Sequence, residues 1–378
     1  MYRQYSPSRI ILGENAVDSL PDIVKPFGKR GIIVADPVIS KSRFVQDISE
    51  NLKKENTQTI VFDELSGRLN TFTIDTLVAL CLASRAEFVI GVGGIQALTI
   101  AKTAAGFCGS EGIFSDKMYN LSENSKKLAY IEIPGAMRNP QLLSSSAWIA
   151  DKNTRIPQLI SVPDNYPAAV VLDPEIIDSL SDTFFYSALM DMFLLSVEGY
   201  VSPMSNFFCD SLFLKTTAIV LSLQQKDQSQ YRSSSSGITA MEAGLLYSYG
   251  RTTILPGIGE SLSRAINTRF QVPKAIVSSI LLPHVLEFLS ERKADRIARM
   301  ASILEIPIDN LPDREAAQRV VENVRFHIGL EGVPTRLSEF SVSIKEFKNL
   351  ASIVSAMPHL KKQDINEESI HQLIEKTF

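Results

Sequence analysis

At 378 residues the chain is longer than the roughly 100–200 residues of a usual domain, so two packed units are expected. Hydrophobic residues make up 45% and charged residues 21%, and the formal charge of −4 argues against nucleic acid or an anionic membrane as a partner. Cys81, Cys108 and Cys209 are odd in number and lack C-x-x-C spacing, which speaks against a disulfide framework or zinc knuckle and fits a reducing cytoplasm.

The opening MYRQYSPSRIILG has no continuous apolar core of a signal sequence, and no uninterrupted run reaches the roughly 18 apolar residues of a spanning helix. A soluble, untargeted, cytoplasmic protein is the expectation. From residue 31 the pattern alternates between β-branched runs and helical spacing. GIIVADP (31–37) predicts a strand ending at an Asp-Pro turn, 42–54 a helix, TIVF (59–62) a strand and 75–84 another helix. EFVIGVGG predicts a buried strand entering a glycine turn, and LAYIEIP and AAVVLDP predict further strands closed by Pro134 and Pro174. Such alternation is how a doubly wound, Rossmann-like parallel sheet reads. Beyond Asp178 the period becomes helical, through FFYSALMDMFLLSVEGYVS, SLFLKTTAIVLSL, ITAMEAGLLYSYG and KAIVSSILLPHVLEFL. The chain is therefore read as an α/β domain over residues 1–178 and an all-helical domain over 179–378. The serine-rich KDQSQYRSSSSG (226–237) reads as a solvated loop leading to a helix capped by Thr239, with Glu242 three residues on.

GVGGIQALTIAK (91–102) raises the question of a cofactor. A strand, glycine turn and helix aim backbone N–H groups at the space above a helix N-terminus, where an anion is favoured. Gly91, Gly93 and Gly94 permit close approach of a pyrophosphate, yet a tight turn without a ligand reads the same way. Asp36 could accept hydrogen bonds from an adenosine ribose and disfavour the 2′-phosphate of NADP; it is equally an ordinary turn aspartate before Pro37.

The order of several segments resembles that of the iron-containing alcohol dehydrogenases. These are PSRIILGENAVDSLPDIV, KRGIIVADPVISKS, GVGGIQALTIAK, AAVVLDPEI, DMFLLSVEGYVS, AMEAGLLYS, ILLPHVLEF and GVPTRLSEF, spread over nearly the whole chain. The related glycerol dehydrogenases and dehydroquinate synthases are less close. The resemblance implies a dinucleotide-binding domain, a helical domain, an active-site cleft between them, and a homodimer through N-terminal edge strands.

The resemblance also implies an Asp and three His around a divalent ion that polarises the substrate oxygen for hydride transfer. Asp191 matches the aspartate, while Leu195, Glu260 and Lys274 stand at the three histidine positions. Leucine has no lone pair and an ammonium repels a cation, so iron or zinc is not expected here. A further family histidine near the nicotinamide aligns with Arg264, which cannot relay a proton at neutral pH. Of the four histidines, His284 lies in ILLPHV, where the family carries a non-ligand histidine, and His327, His359 and His371 read as surface or packing residues.

The cofactor segments diverge too. The family's Gly-Gly-Gly-Ser-x-x-Asp becomes Gly93, Gly94, Ile95, Gln96, Ala97, Leu98, Thr99, and its Thr-Thr-x-Gly-Thr-Gly-Ser-Glu becomes GAMRNPQL from Gly135, with Pro140 removing a donor. A family lysine aligns with Pro157. Asp36, Gly91, Gly93, Gly94 and Thr99 are the candidate cofactor contacts, with NAD the candidate cofactor. Asp191, Glu260, Arg264 and Lys274 are the cleft candidates. If the scaffold brings them together, Lys274 is expected to stand in the ion's space and pair with both acids while Leu195 fills volume.

Three functions follow as alternatives. One is a family member that has lost metal-dependent hydride transfer and binds a small molecule, nucleotide or partner. The second is a working NAD(P)-dependent enzyme in which Lys274 or Arg264 polarises a carbonyl. The third is non-redox acid–base chemistry by Asp191, Glu260 and Lys274.

Overall fold

The computed structural model describes residues 8–65, 71–118, 127–135, 137, 139, 141–150, 157–162, 165–179, 181–224, 234–330, 334–340 and 344–377. The chain divides into two compact units, one of residues 1–180 with 232–241, the other of 181–231 with 242–378.

The first unit contains eight strands among the described residues: β1 (Arg9–Leu12), β2 (Arg30–Ala35), β3 (Gln58–Phe62), β4 (Phe88–Gly93), β5 (Ala129–Pro134), β6 (Ser146–Ala150), β7 (Pro157–Ser161) and β8 (Ala169–Leu172). Helices α1 (Leu20–Val24), α2 (Arg43–Lys54), α3 (Thr71–Ala83), α4 (Ile95–Phe107) and α5 (Phe114–Lys117) connect them. Six strands form a parallel sheet in the order β1-β8-β5-β4-β2-β3. The central strand β4 is buried along its whole length, which is why FVIGVG reads as a continuous apolar run. Ser42 caps α2 by accepting the Val45 N–H, and the Asp36 carbonyl accepts from Ile39 and Ser40 in the turn around Pro37.

β6 and β7 form a separate antiparallel pair, with Trp148 opposite Leu159. Both are short, and the run between them carries no paired-turn signature, so the chain's alternation gives no sign of them. Thr239 does not cap the helix that follows the serine-rich segment. Helix α8 (Ser234–Arg251) starts five residues earlier, and the Thr239 hydroxyl donates to the Ser235 carbonyl from within the second turn, at 2.8 Å. Residues 226–233 of the serine-rich segment lie outside the described residues.

The second unit is helical: α6 (Asp182–Val201), α7 (Phe207–Gln224), the last part of α8, α9 (Ile258–Phe270), α10 (Lys274–Arg292), α11 (Ala294–Arg299), α12 (Asp313–Leu330), α13 (Ile344–Ser355), α14 (Pro358–Lys361) and α15 (Glu367–Glu375). Helix α6 is the spine of this unit and packs along α7 and α10. It and α7 are long and apolar enough to cross a membrane by composition, but 94% of the apolar window of α6 is buried inside the protein. Being buried all round, α6 shows almost no amphipathic stripe. Asp191 is therefore a carboxyl group inside a core helix, where it requires a partner.

Candidate functional site

In the helical unit, Lys274 opens α10 and reaches Asp191 on α6, with Nζ 2.6 Å from Oδ1. The same ammonium donates to the Ser278 hydroxyl one turn along α10 at 3.3 Å. A cation at a helix N-terminus opposes the helix dipole, so the aspartate offsets both the dipole and the burial of the ammonium. Leu195, one turn after Asp191, is buried apolar packing.

Glu260 takes different cations from those the sequence suggested. Lys274 was expected to bridge both acids, but Glu260 is clamped by Arg251 at 3.1 Å through Oε2 and by Arg264 at 3.2 Å through Oε1. Arg251 ends α8, where the helix carbonyls favour a cation, and Arg264 lies one turn along α9 from Glu260. Burial pushes the Glu260 carboxyl up, yet the charges of Arg251, Arg264 and Lys274 outweigh it and hold it down at about 2. Glu260 is thus firmly ionised, and the 2.6 Å contact of Lys274 is with Asp191.

Besides Arg251, two residues outside the cleft candidates join this cluster. Glu198, two turns beyond Asp191 on α6, lays its carboxylate over the N-terminus of α9 and accepts from Gly259 N at 2.5 Å and Glu260 N at 2.9 Å. A Cβ on Gly257 would come within 2.4 Å of its Oε1, so the LPGIGE glycine makes room for this approach. Burial pushes Glu198 up to about 7, against the two N–H bonds that favour its anion. The seven-residue spacing from Asp191 was the available signal, since it places both acids on one helix face. The second is His359 on α14, whose Nε2 lies 2.8 Å from the Ser261 hydroxyl, next to Glu260 in the chain. Burial depresses its imidazole to about 4, with Glu260 opposing and Arg251 adding to the shift. It is a neutral ring at the edge of the ion-pair network. His371 pairs with Glu375 on the surface of α15.

In the α/β unit, the glycine turn is built for close approach, and the approaching group is internal. The Asp36 carboxylate sits over the N-terminus of α4, with Oδ2 2.5 Å from Gly94 N and a further bond from the Ala97 N–H. A Cβ on Gly93 (φ +120°) would lie 2.5 Å from that oxygen, and one on Gly135 would lie 2.8 Å from the Gly93 Cα. Burial raises the Asp36 carboxyl, and the two backbone bonds pull it back. Gly91 sits within β4, where the Tyr130 hydroxyl and Ala101 fill the space beside it, and Thr99 is buried inside α4. The first faces packing atoms and the second lies within the helix body. Pro140 lies outside the described residues; Pro157 starts β7.

Beneath this turn lies a buried network. Lys102 on α4 is 3.5 Å from Glu132 on β5 and donates to the carbonyls of Gln141 at 2.5 Å and Ser144 at 3.0 Å. Asn139 donates to Glu132 and accepts from Gln141 N. Burial lifts Glu132 to about 7 despite Lys102, and lowers Lys102. The network pins the described part of the segment after β5 to the sheet.

Comparison with known proteins decides the family. The model of the iron-containing alcohol dehydrogenases matches residues 7–174, and that of the C-terminal region of the Fe-containing alcohol dehydrogenase family matches 185–378. The chain belongs to the iron-containing alcohol dehydrogenase family. It is 23% identical over 354 residues to a 1-propanol dehydrogenase of Citrobacter freundii, covering 90% of this chain and 87% of that one. It is 21% identical over 363 residues to an NADPH-dependent butanol dehydrogenase of Clostridium saccharobutylicum, covering 94% and 91%. The structure of an alcohol dehydrogenase from Oenococcus oeni superposes with a TM-score of 0.91 at 19% identity over the full length of both chains. The α/β-plus-helical architecture is that of the family.

Proposed function

We propose that this family member works without metal-dependent hydride transfer, an internal network of ion pairs having taken the place of the family's divalent ion, and that it acts by binding a small molecule, nucleotide or partner. The observation that carries the reading is the 2.6 Å contact between Lys274 and Asp191. A divalent ion at the family's four positions would meet an ammonium, a leucine, and a glutamate already held by two guanidiniums. Such a donor set does not fit the ion, because three fixed cations would have to be displaced for two carboxylates. At the nucleotide end, the Asp36 carboxylate engages N–H groups at the helix N-terminus that would otherwise greet a pyrophosphate. The edge position of β1 supports the expectation of a homodimer.

A second reading is kept because the relatives are named as dehydrogenases. In it the chain is an NAD(P)-dependent aldehyde reductase, and the Lys274 ammonium takes the ion's role towards a carbonyl oxygen. One preparation separates the two. Metal analysis together with titration by NADH and NADPH is expected to give substoichiometric iron and zinc and no saturable nicotinamide binding. Saturable binding with aldehyde-dependent oxidation of the nicotinamide would overturn the first reading and support the second.

A further inference from the structure

The helical unit contains a cavity of about 270 Å³ at the end of α6, bounded by the entry to α9, the end of α10 and the segment joining α14 to α15. Ile258 and Phe288 contribute apolar wall, and Arg292, Lys293 and Lys362 bring three cations to the same space. Two acids line it, Asp364 and Glu198, and Glu198 is already bonded to the N–H groups of α9. Neither Lys293 nor Lys362 has a carboxylate within ion-pair distance among the described residues. Positive charge is therefore in excess by about one unit, and the cavity, at about 270 Å³, falls just below the ~300–1,000 Å³ range of ligand sites, which suits a small ligand.

The wall is held in place. The Arg292 guanidinium lies 4.3 Å over the Phe288 ring and donates to the Asp364 carbonyl and the Ser369 hydroxyl, both at 3.3 Å. Gln363 donates to the carbonyls of Pro256 at 2.9 Å and His359 at 3.1 Å, tying the α14–α15 segment to the approach to α9. A guanidinium with five N–H donors keeps capacity beyond these two bonds, and its fork suits a carboxylate.

We propose that this cavity binds a small organic monoanion of the carboxylate class, its charge set among Arg292, Lys293 and Lys362 and its short alkyl body against Ile258 and Phe288. The inference stands apart from the metal and nicotinamide readings, because none of these groups belongs to the Asp191–Lys274 pair or to the Asp36 turn.

Isothermal titration of the full chain with butyrate tests it, with butyramide as the neutral isostere and inorganic phosphate as an anion lacking an alkyl body. Saturable butyrate binding is expected, with none for butyramide and binding at least about tenfold weaker for phosphate, which forgoes the apolar contact. Lys293→Gln/Lys362→Gln, at exposed positions, should weaken butyrate about fivefold, and Ile258→Trp should abolish it by filling the cavity. Should the tryptophan variant fail to fold, the lysine double variant still decides. No saturable butyrate binding, equal binding of butyramide or phosphate, or an unchanged affinity in the lysine double variant would each overturn the proposal.

Discussion

Lys274 Nζ stands 2.6 Å from Asp191 Oδ1, joining the first residue of α10 to the middle of α6 with both groups buried. Removing one partner of a buried pair strands the other charge, whereas replacing both by apolar groups avoids that penalty. Lys274→Met should therefore destabilise the protein by about 3–5 kcal/mol, and Asp191→Leu/Lys274→Met should recover most of the loss. Urea unfolding measures both. A Lys274→Met variant within about 1 kcal/mol of the parent would show that the pair is not holding the helices.

The ion-pair network also makes a prediction about metal. Leu195→His/Glu260→His/Arg264→His/Lys274→His, with Asp191 kept, removes two of the cations and supplies imidazole donors. This variant should take up stoichiometric zinc on dialysis against a zinc buffer, while the parent should not. Equal uptake by the two proteins would mean that the parent's ammonium and guanidiniums do not exclude the ion.

Stability should depend on pH with opposite signs on its two limbs. Glu198 and Glu132 are raised from 4.5 to about 7, so between those values the native state binds more protons than the unfolded chain. Stability from these two groups therefore falls as pH rises through that window, by about 2–3 kcal/mol each. Glu260, lowered to about 2, contributes stability that is present above 4.5 and is lost as pH falls towards 2. Denaturation across pH 4–8 should show a decline toward neutrality, opposed in part by His359, whose depressed imidazole adds stability as pH rises from about 4 to 6.5, and Glu198→Gln should make the decline shallower. A Glu198→Gln profile parallel to that of the parent would contradict this account.

Asp36 offers a test at the other unit. Its carboxylate caps α4, so Asp36→Ala should cost about 1 kcal/mol of stability. The same change exposes the N–H groups of Gly94 and Ala97 and removes a negative charge, so binding of NADH, read by calorimetry, should appear or tighten. Saturable NADH binding by the parent that Asp36→Ala weakens would make Asp36 a ribose contact and not a barrier.

The parallel sheet, the helical second half and most element positions were legible in the chain, because β-branched runs and 3.6-residue periods report burial locally. FVIGVG became the buried strand β4, and the 42–54 pattern became α2 with Ser42 as its cap. The hairpin of β6 and β7 was not legible, since its two short strands are paired by contacts beyond the reach of local pattern. At the candidate site, the sequence by itself determined which residue types were available: one aspartate, one glutamate, a lysine and a leucine where the family has an aspartate and three histidines. Only the tertiary structure decided the pairing. It set Lys274 against Asp191, brought Arg251 from the end of α8 to Glu260, set Glu198 over α9, and turned Asp36 onto the glycine turn. The physical reason is that Coulomb and hydrogen-bond partners are chosen by distance in space. Residue type says which charges must be neutralised when buried, and the packing of helices says which partner does it.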